Sequence, residues 1–399
     1  MPKVNPEILR WARETAGISE QDAALKLGIG KARGLQPIDR LRALEAGSDV
    51  PSRTVLVKMA TVYHRPLLTF YLATPPRPGD KGHDFRGLPH DSRPHDEPLL
   101  DALIRDVRAR QSLMRSAILD DDSVDARTFI GSASIAQGVQ RLVASIRTLL
   151  QLDISEYRSA RSTDDAFSLL RTRVERAGVY VILAGDLGSH HTRIGVDTFR
   201  GFALADDIAP FIIMNDQDHH AAWSFTLLHE LAHLYLGQTG VSGGRPESRI
   251  EKFCNDVASE FLLPKSELTE LRDIAGFDVN AAAARIGEFA LARRVSHSMV
   301  AYKLYRVGTI TGRLWSAIDA YFHDRWRSQR ERERKRRKEA EGGPNYYTIR
   351  RQRLGRGLVD AAARLLAAGA MTTTKAGTVL GVKPGNVQKL IGNGAPGAS

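Results

Sequence analysis

The sequence of 399 residues contains one cysteine, no long apolar run and no recognisable export signal. The single thiol, Cys254, excludes an intramolecular disulfide, and secreted domains that rely on disulfides carry several cysteines. No stretch reaches the roughly 18 apolar residues that a membrane-spanning helix needs. The N-terminus lacks the apolar core and small-residue cleavage site of a secretory signal. These absences predict a soluble, cytoplasmic protein without a membrane partner.

The net charge of +11 comes entirely from the last part of the chain. Residues 321–399 hold 17 Lys and Arg against 6 Asp and Glu, whereas residues 1–320 are neutral overall. Charge concentrated in this way favours an anionic partner, with nucleic acid as the first candidate. A solvated helix that keeps the protein soluble is the alternative. The candidate nucleic-acid contacts in the most basic stretch are Arg332, Arg334, Arg336 and Arg337.

Residues 1–73 carry helix start and stop signals at short spacing, which predicts a bundle of short helices. The order of short helix, glycine turn and Arg-bearing helix is the plan of a helix-turn-helix DNA binder. LEAGSDVPS followed by LVKMATVYHRPL resembles the phage-repressor-like (XRE-type) domain and makes Arg40 and Arg42 candidate DNA contacts. However, GIGKARGLQPIDR is longer and richer in glycine than the usual turn. A protein-binding helical bundle is therefore the alternative.

The remaining sequence predicts a linker, a mixed domain and a basic helical region. Residues 74–98 are rich in proline, glycine and histidine, which indicates a linker. Residues 99–310 combine helical patterns with three short β-rich runs, GVYVILAG, RGFALAD and PFIIMND. Helical patterns continue through 311–399, and 371–391 predict two short helices around a glycine-containing turn, a candidate second helix-turn-helix. The predicted fold class is mainly α with a small β-sheet (α+β).

An apolar helical run, SFTLLHELAHLYLG at 224–237, carries two histidines and a glutamate. Positions i and i+4 share one helix face, so His229 and His233 can present ring nitrogens to one zinc ion. In H-E-x-x-H sites the glutamate, here Glu230, is the general base. The alternative is a buried helix with two histidines that have ordinary hydrogen-bond partners.

A catalytic zinc usually has three protein ligands, and IEKFCNDVASEFLLP at 250–264 offers the third. A helix packed antiparallel to the first would bring Glu251 to the metal. Asn255 or Asp256 would then hydrogen-bond a ligand imidazole and fix its tautomer. Cys254 is interpreted as a small buried residue rather than as a redox sensor.

Peptide hydrolysis also needs a donor for the oxyanion, and the sequence does not rank the candidates. An extended peptide substrate would bind an exposed strand edge, and the strand at 201–205 is the candidate for that edge. The alternative is that so apolar a strand lies in the interior of the sheet. The candidate oxyanion donors are Tyr235, His219, His220 and His297.

HELAH followed by E-x-x-C-N and FLLP resembles the ImmA/IrrE family of zinc metallopeptidases. The approach RGFALADDIAPFIIMND, the Asp-Phe-Arg at 84–86 and the tail YYTIRRQRLG…LGVKPGNVQKL are also similar to members with an N-terminal repressor-like domain. This resemblance implies a zincin-like central domain with one zinc per chain. It assigns His229, His233 and Glu251 as ligands and Glu230 as the base.

The resemblance implies limited, site-specific cleavage of a helix-turn-helix repressor that controls stress or mobile-element genes. The rival interpretation is a DNA-binding regulator or antitoxin-like module whose metal site is structural or vestigial. Genes beside this one would discriminate between the two, since a small repressor gene favours the first and a toxin-like gene the second.

Overall fold

The computed structural model describes residues 3–31, 34–76, 96–121, 125–242, 249–339 and 345–392. It confirms the predicted fold class, since the chain is mainly helical with one small sheet. The helices are α1 (Pro6–Thr15), α2 (Glu20–Leu27), α3 (Pro37–Glu45), α4 (Arg53–Val62), α5 (Asp96–Asp120), α6 (Val139–Leu150), α7 (Ile154–Arg158), α8 (Thr163–Arg176), α9 (His220–Tyr235), α10 (Arg249–Leu262), α11 (Val279–Arg293), α12 (His297–Arg306), α13 (Gly312–Glu339), α14 (Tyr346–Leu354), α15 (Arg356–Ala367), α16 (Thr373–Leu380) and α17 (Val387–Ile391). The strands are β1 (Tyr180–Leu183), β2 (Gly201–Leu204), β3 (Phe211–Met214) and β4 (Gly240–Ser242). Most of the predicted linker, residues 77–95 with its Asp-Phe-Arg, lies outside the described residues.

The chain forms two compact units. The first comprises Met1–Val107 with Asp186–Thr198, and the second comprises Arg108–Gly185 with Phe199–Ser399. Among the described residues, no helix is long and apolar enough to cross a membrane.

The first unit contains the helical bundle that the sequence predicts. Asn5, Ser19 and Ser52 cap α1, α2 and α4 by accepting backbone N–H bonds, which satisfies amides that a helix start leaves unpaired. Inside the bundle, the Arg13 guanidinium makes two parallel hydrogen bonds to the Glu45 carboxylate at 2.8 and 2.9 Å. This buried, bidentate pair joins α1 to α3.

The sheet of the second unit has the strand order β1-β3-β2-β4. β1 runs parallel to β3, while β2 is antiparallel to both β3 and β4. β2 is therefore an interior strand, and the prediction that 201–205 offers a free edge is wrong. β4 lies in the glycine-rich stretch between α9 and α10.

Helices pack against this sheet and enclose the main core. The helix α9 lies against β2 and β3, and α8 and α10 pack against α9. α7 and α8 are separate helices, because Ser162 begins α8 by accepting a hydrogen bond from the Asp165 amide. All residues of β1, β2 and β3 are buried, which explains why these strands read as continuous apolar runs.

Within the second unit, a buried arginine holds the C-terminal helices to α8 and β1. The Arg171 guanidinium on α8 donates to the Glu175 carboxylate, to the Val181 carbonyl of β1 and to two carbonyls at the end of α14. Gly355 links α14 to α15 beside this group with φ of +80°. A Cβ at Gly355 would lie 2.6 Å from Arg171 Nη2 and 2.9 Å from the Val181 carbonyl oxygen, so no side chain fits there.

We expect Gly355→Ala to lower the free energy of unfolding by about 2–5 kcal/mol, because it adds steric overlap to an unfavourable left-handed backbone. Gly369→Ala is the matched control. Its φ is +76° but no atom lies within 4 Å of the added Cβ, so only the backbone cost of about 1–2 kcal/mol should appear. Urea unfolding followed by circular dichroism measures both, and equal losses would contradict the proposed overlap.

Candidate metal centre

The helix α9 presents the H-E-x-x-H residues inside the core. His229, Glu230 and His233 are only 4%, 0% and 2% exposed. Leu227, Leu231 and Leu234 surround them and are fully buried. This apolar setting restricts the side-chain rotamers and removes competing water.

Glu251, at the start of α10, completes a trio with the two histidines. The His229 Nε2 atom lies 3.2 Å from Glu251 Oε2, and His233 Nε2 lies 3.2 Å from Glu251 Oε1. The two Nε2 atoms are 3.1 Å apart. The structure therefore brings together the three side chains that the sequence singles out as ligands, and no other such group occurs among the described residues.

The spacing of the trio fits a zinc ion. Tetrahedral bonds of about 2.0–2.1 Å place neighbouring ligand atoms about 3.3–3.4 Å apart, close to the separations of 3.1 and 3.2 Å seen here. Two imidazoles and one glutamate are also a donor set of catalytic zinc sites, which keep the fourth position for water or substrate.

The electrostatics of the trio favour a cation. Burial disfavours the ionised form of Glu251, but hydrogen bonding to His229 and His233 outweighs burial and lowers the pKa of Glu251 to about 2. This carboxylate is therefore ionised at neutral pH. Burial likewise opposes charge on His233, but Cys254 and Glu251 outweigh it and raise the pKa of this imidazole well above its usual value. The carboxylate thus stabilises positive charge on the imidazole side, where a divalent ion would bind.

Glu230 lies directly beneath β2. A Cβ at Gly201 would be 2.8 Å from Glu230 Oε1 and 2.9 Å from Thr226 Cγ2. The absence of a side chain on Gly201 therefore makes the space that the Glu230 carboxylate occupies. The sequence contains Gly201 within an apolar strand, where an isolated glycine can signal close approach of another group, but the approaching residue is not deducible from it.

The predicted tautomer-fixing contact is absent. Neither His229 Nδ1 nor His233 Nδ1 has a hydrogen-bond partner among the described residues, so Asn255 and Asp256 do not hold either ring. Asp256 instead faces Lys303 and Arg306.

Cys254 is the neighbour of His233 that the sequence did not predict. It is fully buried, and burial raises the pKa of its thiol, although the His233 contact opposes this shift. Both features agree with a packing role rather than a reactive thiolate. Its position three residues after Glu251, on the next turn of α10, is the signal that could have placed it beside the trio.

Tyr235 and His220 are engaged away from the trio. The Tyr235 hydroxyl donates to the Ser145 carbonyl at 3.2 Å, and burial raises its pKa to about 12. The exposed His220 ring lies 3.1 Å from Asp164. Neither is therefore placed to stabilise an oxyanion at the metal centre.

His219 and His297 line a different cavity. His219 caps α9 by accepting the Ala221 amide, roughly 15 Å along the helix from His229. His297 stacks on Phe322 at 4.7 Å, and burial lowers its pKa. The two histidines share a cavity of about 390 Å³ with α11 and α13, so they too are apart from the trio.

The predicted nucleic-acid arginines divide into two groups. Arg40 donates to the Gly30 carbonyl, and Arg42 pairs with Glu20 at 2.7 Å, so both have partners within the bundle. Arg332 is exposed on α13, while the side chains of Arg334, Arg336 and Arg337 lie outside the described set.

Comparison with protein families identifies the part of the chain that contains the trio. Residues 174–305 match the family model of the IrrE N-terminal-like domain, Peptidase_M78. This segment, about a third of the chain, includes β1 to β4, α9 and α10. The match supports the ImmA/IrrE resemblance and a metal-dependent type of peptidase. Comparisons with curated proteins and with solved structures gave no significant match.

We expect the purified protein to hold about one zinc ion per chain and Glu251→Ala to lose it. Loss of even an outer contact typically costs about 10–100-fold in metal affinity, and loss of a ligand should cost more. His220→Ala is the control because this exposed ring does not reach the trio. Elemental analysis after dialysis against a weak chelator checks the prediction, and equal zinc in both variants would contradict it.

Proposed function

We propose that the protein is a zinc-dependent endopeptidase that makes a limited cut in a regulatory protein. The observation that carries this proposal is the convergence of His229, His233 and Glu251 beside the buried carboxylate of Glu230. A purely structural metal site has no need of a base next to a ligand. The match of residues 174–305 to a peptidase family supports the same reaction class.

The proposed mechanism divides the work between the ion and Glu230. When bound, zinc would act as a Lewis acid that acidifies water and polarises the peptide carbonyl. Glu230 accepts the proton of the attacking water and delivers it to the leaving amine. Gly201 leaves room for this carboxylate under β2, and the apolar residues of α9 hold it in place.

The burial of the centre supports limited proteolysis rather than digestion. Both histidines are almost completely buried, and the Glu251 side chain is only 15% exposed. A substrate segment must fit closely to reach such a site, which favours selected sequences.

The proposed substrate is a helix-turn-helix repressor that controls stress or mobile-element genes, as the ImmA/IrrE resemblance implies. The bundle formed by α1 to α4 would then dock on that repressor or on its operator. Its candidate DNA-contacting arginines, Arg40 and Arg42, contact Gly30 and Glu20 within the bundle.

We expect Glu230→Gln to retain zinc and to lose cleavage by about 10²–10⁴-fold, because only proton transfer is removed. The measurement compares newly formed protein N-termini in cells that express the wild type or the variant. A few wild-type-specific termini, in proteins with helix-turn-helix domains, are the expected result.

Each other outcome has a distinct meaning. Identical termini in both strains would contradict the peptidase, and hundreds of wild-type-specific termini would contradict limited cleavage. If the variant instead keeps its cellular function and its DNA affinity, the metal site is structural. That last result would favour the DNA-binding regulator, which the charge of residues 321–399 also supports.

We also expect Gly201→Ala to keep zinc but to reduce cleavage on the order of 100-fold, because the new methyl group displaces the Glu230 carboxylate. Gly287→Ala on α11 is the control, since no atom lies within 4 Å of its added Cβ. Cleavage of a protein identified from the new N-termini provides the assay. Equal rates for the two variants would contradict the role given to Gly201.

A further inference from the structure

The C-terminal helices contain a second candidate binding element, outside the metal centre and outside residues 174–305. We propose that residues 372–391, comprising α16, a short 3₁₀ turn and α17, bind duplex DNA as a helix-turn-helix. This proposal goes beyond the peptidase activity and does not depend on it.

The two helices are joined by a tight turn. Gly381 ends α16 in the left-handed conformation with φ of +61°. A Cβ at Gly377 would lie 2.8 Å from the Val382 carbonyl oxygen and 3.3 Å from the Pro384 nitrogen. The backbone after the turn therefore packs directly on α16, which fixes the angle between the helices.

The inner face of the element is an apolar core on a rigid support. Val379, Leu380, Val387 and Leu390 are all fully buried. Arg110 and Arg350 donate to the last carbonyls of α16, at Val379 and Leu380, and so hold the end of this helix. The element is thus positioned as a unit.

The outer face is polar and basic. Lys383, Gln388 and Lys389 are exposed on the segment that corresponds to a recognition helix. Gly385 and Pro384 are exposed beside them and permit close approach of another surface. Residues 345–392 contain eight Lys and Arg but a single acidic residue, Asp360, so little repels a phosphate backbone.

These features favour DNA over a protein partner. Within residues 371–392, which the structure describes, no large apolar side chain is exposed, although a protein-docking face normally has an apolar centre. Lysines contact phosphates, and glutamine can make a bidentate contact with adenine in the major groove. The exposed side chains therefore supply both backbone and base contacts.

The test is a titration of the full-length chain with a short random-sequence duplex at salt concentrations between about 50 and 200 mM. We expect Lys389→Gln to weaken binding and to reduce the slope of log affinity against log salt by about 1. The double variant, Lys383→Gln and Lys389→Gln together, should reduce this salt slope by about 2. Lys265→Gln, an exposed lysine elsewhere in the second unit, should change nothing. The basic stretch of α13 is the same in every variant, so the differences isolate the C-terminal element.

A selection from a random duplex pool tests base contact. The expected result is a preferred sequence whose discrimination at one base pair falls roughly tenfold in Gln388→Ala and is unchanged in Gln352→Ala, an exposed glutamine on α14. Circular dichroism and zinc content confirm that each variant is folded.

Absence of duplex binding, or an unchanged affinity and salt slope in the double lysine variant, would overturn the proposal. Capture of a protein by this face without DNA binding would overturn it as well. The lysine variants should lose DNA binding but keep Glu230-dependent cleavage. The two proposals are therefore tested independently of each other.

Discussion

The interaction on which the second unit depends is the meeting of two imidazoles and a carboxylate inside an apolar core. Burying such groups without partners raises the free energy of the folded state by several kcal/mol, so interactions in the surrounding structure must compensate for it. The carboxylate of Glu251 does so in part by favouring positive charge on His233. A divalent ion would replace the proton on the imidazole, carry the compensating positive charge itself and bond α9 to α10. The metal centre is thus both the proposed reactive group and a link between two core helices.

The sheet affects this centre by limiting the size of the side chain at position 201, beside Glu230. β2 crosses Glu230 so closely that a Cβ at position 201 would lie 2.8 Å from the Glu230 carboxylate. Its interior place between β3 and β4 keeps it from shifting away, since both neighbours hydrogen-bond to it. The packing of β2 on α9 therefore limits where the carboxylate of the proposed base can lie.

Local spacing explains which parts of the site the sequence predicts. His229, Glu230 and His233 follow from helical periodicity, and Glu251 needs only one further helix nearby. Gly201, by contrast, meets Glu230 across a long sequence separation, and β4 lies in a stretch without β-rich residues. The oxyanion candidates were chosen by residue type alone, and the structure gives each of the four a place away from the trio. Bundle helices and strands were predictable because their caps and apolar runs are local signals.

The same sheet also supports the C-terminal helices, at its edge strand β1. Arg171 and Glu175 on α8 hold the junction of α14 and α15 next to β1, while α9 packs on β2 and β3. In both places a glycine lies against a glutamate side chain that an added Cβ would overlap, Gly355 against Glu175 and Gly201 against Glu230. A rigid, continuously buried sheet is the physical requirement of such contacts, because small strand shifts would open or close them. One sheet therefore supports both the metal centre, through α9, and the separate basic element, through α14.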